Sequence, residues 1–112
     1  MLEKDRKSCR KPTQKEKELI AKLIDLSSYP AASDWEEKML VCSLKDEGMG
    51  SLELFPRGVI KKNRKFGVEI STLKLTDLDG VEVTVALYLD KEFELYQLDV
   101  WKVDFTKTLF LK

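Results

Sequence analysis

The residues best placed to do chemistry are Asp77, Asp79 and Gly80, which follow one another in the order that opens a calcium-binding loop. That chemistry needs a third oxygen ligand before the glycine, a bidentate glutamate further on and a helix on each side. Strand-like patterns flank this segment instead, so a tight turn is the expected structure. Gly48 and Gly50 in DEGMGS have the spacing of a phosphate cradle, but no Lys-Ser/Thr pair and no helical pattern follow them, and a turn is expected there too. Histidine is absent, which excludes a Cys–His nucleophile and any His-containing zinc site. Carboxylate pairs of the glycosidase kind can be drawn almost anywhere in a chain with 36% charged residues, so none stands out. The chain is therefore read as a non-enzyme, with no cofactor and no metal.

Charge distribution says more than any motif. Lys and Arg total 20 and Asp and Glu total 20, so the whole chain has no net field to draw it to nucleic acid or an anionic membrane. From Thr76 to Asp104, however, eight acids (Asp77, Asp79, Glu82, Asp90, Glu92, Glu94, Asp99 and Asp104) stand against Lys91 and Lys102, a local net of −6. Such a surface attracts a basic partner and speeds its arrival. The complementary +6 includes the start of the chain and Arg57, Lys61, Lys62, Arg64 and Lys65. Those basic segments lack the exposed aromatics or recognition helix of a nucleic-acid reader, and direct nucleic-acid binding is not expected.

The elements that must position these acids are legible in the periodicity. The 112 residues suit one domain, with residues 1–11 as a basic, flexible arm. Thr13 with Glu16 three residues on makes a capping box, and Leu19, Ile20, Leu23 and Ile24 fall on one face of a helix from about Gln14 to Leu26. SDWEEKM leaves room for a second, short helix, with Trp35 as a partly exposed anchor for a partner. From Met39 onward the period shortens to two, giving five strands: MLVCSLK, SLELF, FGVEISTLKL, GVEVTVALYL and EFELYQLDVW. The expected fold is α+β, one or two N-terminal helices on a mainly antiparallel, five-stranded meander.

Two local features carry expectations of their own. Cys42 lies in the apolar run LVCSL and is read as a small buried hydrophobe; a disulfide to Cys9 runs against a cytoplasmic location, itself inferred from the lack of a leader or an apolar span. In LYQLDVWKVDF, residues 95–105, the apolar parity changes between Val100 and Trp101, so a β-bulge is expected there. It would turn Asp99, Lys102 and Asp104 to solvent and Trp101 and Phe105 to the core. The competing arrangement is a half-buried network pairing Lys102 with Asp99 or Asp104.

KDEGMGS (45–51), LTDLDGVEVTVALYLD (75–90) and LYQLDVWKVDF (95–105), with KPTQKE near the start, resemble a family of small bacterial proteins of unassigned function. That likeness brings no catalytic residues. In size, acidity and lack of catalytic motifs the chain also resembles the immunity proteins of contact-dependent growth inhibition systems. This second resemblance implies an inhibitor that binds a cognate toxin C-terminal domain, a basic nuclease such as a tRNase, through exposed acids at Asp77, Asp79, Glu82, Asp90, Glu92 and Glu94. The alternative is an interaction or scaffold domain with no toxin partner. Self-association is left open.

Overall fold

The computed structural model describes residues 4–111. Eight elements follow in order: β1 (Lys4–Arg10), α1 (Gln14–Leu26), α2 (Trp35–Lys38), β2 (Leu40–Leu44), β3 (Leu52–Phe55), β4 (Phe66–Thr76), β5 (Glu82–Asp90) and β6 (Leu95–Lys102). The α+β class holds, with six described strands in place of the expected five. The additional one, β1, comes from the segment read as a flexible arm. Its anchorage has a covalent cause: Cys9 lies directly opposite Cys42 on β2, and the two form a disulfide. Cys42 is buried as expected, but it is not a free thiol, because it is bonded to Cys9. Among the described residues no helix is long and apolar enough to cross a membrane.

All neighbouring strands are antiparallel, in the order β1-β2-β3-β6-β5-β4. The sheet is not a simple meander, because β3 pairs with β6 and the chain between residues 56 and 65 carries β4 to the far edge. The cause lies in that connection. Arg64, in the basic segment between β3 and β4, is drawn inward: its guanidinium bonds Glu53 at 3.1 Å and the Leu95 carbonyl at 3.0 Å, and it stacks on Phe55 and Tyr96. A bidentate-capable, weakly hydrated cation is the one basic side chain suited to such a place.

α1 begins as its sequence dictates. Thr13 accepts from the Glu16 N–H at 3.1 Å while Glu16 accepts from the Thr13 N–H at 2.8 Å. Arg10 adds a two-pronged contact to the same carboxylate, at 2.7 and 2.9 Å, which ties the end of β1 to the start of the helix. The helix lies over β4 and β5, burying Leu19, Ile20, Leu23 and Ile24 against a core that includes Val83, Val85, Leu87 and Leu89. Each such side chain taken fully from water contributes about 1.5–3 kcal/mol before entropy is counted. Trp35 joins this core at 8% exposure, so the expectation that it is a partly exposed anchor is corrected.

The register of β6 settles the fate of its charges. Leu98, Val100 and Lys102 oppose Leu87, Val85 and Val83, on the face under the helix, while Asp99 and Trp101 oppose Ala86 and Thr84 on the other face. The single irregularity in this pairing falls where Tyr88 meets Gln97 and Leu89 meets Leu95, leaving Tyr96 as the extra residue. The bulge thus lies five residues earlier than expected, and the parity after it is the reverse of the expected one. Lys102 is fully buried, Trp101 is 45% exposed and Phe105 is 63% exposed, which corrects both the solvated placement of Lys102 and the core placement of the two aromatic residues.

Candidate partner-binding face

Three segments meet at the end of the sheet where β6 finishes: the turn between β2 and β3, the turn between β4 and β5, and the chain after Lys102. The first is folded by Asp46, whose carboxylate accepts from the N–H groups of Met49 at 3.2 Å and Ser51 at 2.7 Å. Gly48 and Gly50, at φ of 88° and 107°, take left-handed conformations that a side chain would oppose. The Gly48 carbonyl accepts from the Thr108 N–H at 3.2 Å, docking the C-terminal segment on this turn.

The second segment is organised by Asp77. Its carboxylate accepts from Leu78, Leu109 and Phe110 N–H groups at 2.8–2.9 Å and pairs with the Lys102 ammonium at 2.9 Å. Burial alone would raise its pKa, but Lys102 and the three N–H donors outweigh that and hold it at about 2. Lys102 also donates to Asp79 at 2.6 Å and to the Lys107 carbonyl at 3.1 Å. The competing half-buried network thus exists in a different form: its acids are Asp77 and Asp79, not Asp99 or Asp104. The Asp-x-Asp-Gly turn is a clamp on the C-terminal segment, with Gly80 at φ 82° and its N–H bonded to the Asp77 carbonyl. Among the described residues no cluster of His, Cys, Asp and Glu could hold a metal ion.

Beside the first turn lies a cleft of about 340 Å³, lined by Lys45, Asp46, Glu47, Met49, Ser51, Asp99, Val100 and Trp101. The Ser51 hydroxyl accepts from the Val100 N–H at 2.9 Å and stands 3.2 Å from Asp99 Oδ1, to which it donates. Asp99 is half-buried, and its pKa is raised chiefly by that burial; the Ser51 bond opposes the shift, and the nearby charges of Asp46 and Glu69 add to it. No ion pair to Asp99 is present among the described residues, and Lys45 is the basic residue that lines the same cleft. Trp101 forms the apolar wall, with Phe105 tilted against it at a ring separation of 6.0 Å. Phe105 is held at φ 62°, a conformation costly for a bulky residue, with its side chain outward.

A domain of unknown function, DUF6984, matches residues 9–111 of this chain. The chain belongs to that family. No curated protein and no solved structure matches it. The matched region of this DUF6984 domain begins at the disulfide-bonded Cys9 and takes in every residue of the cleft and of the Asp77 clamp.

The six acids expected at the interface do not converge in this DUF6984 fold. Asp77, Asp79 and Glu82 stand at one end of β5 and Asp90, Glu92 and Glu94 at the other, about 27 Å apart by strand rise. Asp77 and Asp90 are buried, so their expected exposure is corrected. Asp90 is turned inward because its Oδ1 accepts from the Glu92 and Glu94 N–H groups at 2.8 and 3.1 Å while its other oxygen faces Arg64 at 3.6 Å. Glu94 is half-buried between Arg57 at 2.8 Å and Lys61 at 3.3 Å. Asp79, Glu82 and Glu92 are exposed as expected. Asp46, Asp99 and Trp101, which line the cleft, and Phe105, which packs on Trp101, are not among the six acids expected at an interface. Asp46 and Phe105 belong to turns whose geometry no period encodes, and Asp99 and Trp101 depend on where the bulge falls.

Proposed function

We propose that this protein works by binding a basic protein partner on the face around the Trp101 cleft, and that the partner is the toxin domain of a contact-dependent growth inhibition system, a nuclease that this chain neutralises as its immunity protein. The observation that carries the reading is the pairing of Asp99, half-buried and without a cation of its own, with the exposed Trp101 on one wall. An arginine or lysine side chain entering there would neutralise the carboxylate and lie against the indole face. Asp46 and Glu47 line the same cleft, Asp79 and Glu82 stand at the same end of the sheet, and Phe105 extends the apolar platform. Exposed aromatics ringed by charge are the anchors from which protein interfaces draw most of their energy. The signed field around them supports rapid capture of a basic nuclease. Active-site occlusion and inhibition from a neighbouring surface both fit this face.

The test is a rescue assay. The C-terminal domain encoded immediately upstream is expressed in a host with and without this chain, and the two proteins are then purified together. Growth arrest relieved by the wild type but not by a Trp101→Ala, Asp99→Lys variant, together with a stable complex, is the expected result. An upstream product that is harmless, or toxic yet neither bound nor neutralised, would overturn the immunity reading.

A further inference from the structure

The opposite end of the sheet carries a second surface built on different chemistry. The β5–β6 connection is fixed from several directions: the Asp90 carboxylate caps two N–H groups, the Phe93 N–H bonds the Asp90 carbonyl at 3.0 Å, and the Tyr29 hydroxyl donates to the Phe93 carbonyl at 2.8 Å. These contacts hold Phe93 at φ 64°, a slot where glycine or asparagine is the low-cost occupant. A phenylalanine there gains little burial in return, since Phe93 is 69% exposed. It overhangs a cleft of about 480 Å³ between the α1–α2 connection and this turn, lined by Tyr29, Ala31, Ala32, Trp35 and Pro56. A backbone held in a disfavoured conformation to present an apolar ring beside an apolar recess is the geometry of an anchor and its socket.

The charges around this socket decide what fits it. Arg57 and Lys38 stand beside Asp34, Glu92 and Glu94 on the cleft rim, and Lys91 lies next to them on the turn. The patch therefore carries both signs in nearly equal number, unlike the acidic face at the other end. A two-fold axis sets a patch against itself, which repels where the patch has one sign and is tolerated where the signs are mixed. We infer that this surface is a self-association site, at which two copies of the chain pair about a two-fold axis with Phe93 of each seated in the Tyr29–Ala32–Pro56 recess of the other. The Trp101 cleft lies at the far end of the sheet, so a dimer formed here leaves both acidic faces open; the inference does not depend on the toxin reading.

The test uses the full, oxidised chain in sedimentation equilibrium from low to high micromolar concentration. The wild type is expected to show a concentration-dependent monomer–dimer equilibrium. Phe93→Gly, which places the favoured residue in the left-handed slot, and Ala32→Arg, which blocks the recess from an exposed position, are each expected to weaken dimerisation at least tenfold. Phe93→Gly should do so without lowering the thermal midpoint measured at a concentration where both proteins are monomers. A lowered midpoint there would show that Phe93 serves the fold of its own chain and would overturn the inference. So would a wild type that stays monomeric throughout the range, or a Phe93→Gly dimer as tight as the wild type.

Discussion

Lys102 and Asp77 form an ion pair at 2.9 Å with both side chains wholly removed from solvent, and through it the last strand holds the C-terminal segment. Two charges taken from water do not add stability by attraction alone, since desolvation consumes most of the Coulomb gain. Here three backbone N–H groups share the carboxylate, and Asp79 and the Lys107 carbonyl share the ammonium, so both ions are solvated by the protein. Breaking the pair from one side is the costly change. Lys102→Met should destabilise the fold by about 3–5 kcal/mol, because it leaves Asp77 charged and buried. Urea denaturation at pH 7 measures this, and a loss under 1 kcal/mol would refute the account.

The same pair sets a pH dependence. Asp77 has a folded pKa of about 2, below the usual unfolded value of about 3.9. Its contribution is therefore present in full above pH 4 and is lost as pH falls from about 4 towards 2. Lys102 is shifted upward, its bonds to Asp79 and Asp77 outweighing burial, so its contribution holds below the ordinary lysine range and fades as pH rises beyond it. Denaturation midpoints from pH 2 to 6 should fall steeply only below about pH 4 in the wild type. In Lys102→Met the part of this acid limb that Asp77 supplies should shrink, because loss of the ammonium lets its folded pKa rise towards the unfolded value.

The Cys9–Cys42 bridge joins residues 33 apart in sequence and pins the edge strand β1 to β2. The loop entropy it removes from the unfolded chain corresponds to about 3–4 kcal/mol. Cys9→Ser should lose that amount, and added reductant should lower the wild type to the level of the variant while leaving the variant unmoved. A wild type indifferent to reductant would show that the bridge contributes nothing to stability.

What could be read from sequence follows the range of the forces involved. The capping box of Thr13 and Glu16 and the helix after it are local, and the structure reproduces them. The alternation from Val83 to Leu89 is local too, and it marks the core face of β5. Strand partners are not local: nothing in SLELF announces that it pairs with LYQL, because that choice depends on Arg64 being buried between Glu53 and Asp90. The cleft was illegible for a similar reason. One extra residue at Tyr96 decides which of Trp101 and Lys102 meets solvent, and a bulge leaves no composition signal.

Asp99 separates stability from the proposed binding role. Its raised pKa means that the fold disfavours the charged form, so wild-type stability should fall as pH rises through the range where Asp99 ionises. Asp99→Asn keeps an acceptor for the Ser51 hydroxyl and removes the charge. It should stabilise the chain at pH 7, by no more than about 1 kcal/mol for this half-buried site, and it should weaken capture of a basic partner. A variant that is less stable at pH 7 would show that the carboxylate serves the fold.

Trp101 supplies the sharpest contrast between the two ends of the molecule. At 45% exposure it contributes little to the core, and Trp101→Ala should cost about 1 kcal/mol of stability, much of it from the lost Phe105 contact. In a complex where it is buried centrally the same change should cost at least about 2 kcal/mol of binding, roughly a thirtyfold rise in Kd, mostly in the off-rate. Replacing Glu92 and Glu94 by Lys alters the other end, where Glu94 already answers Arg57 and Lys61, and should leave the Kd for the partner within about threefold. Calorimetric titration of the purified partner with each variant distinguishes the ends. Tight binding by Trp101→Ala together with failure of the Glu92, Glu94 double variant would move the interface to the Phe93 end and leave the Trp101 cleft without its proposed role.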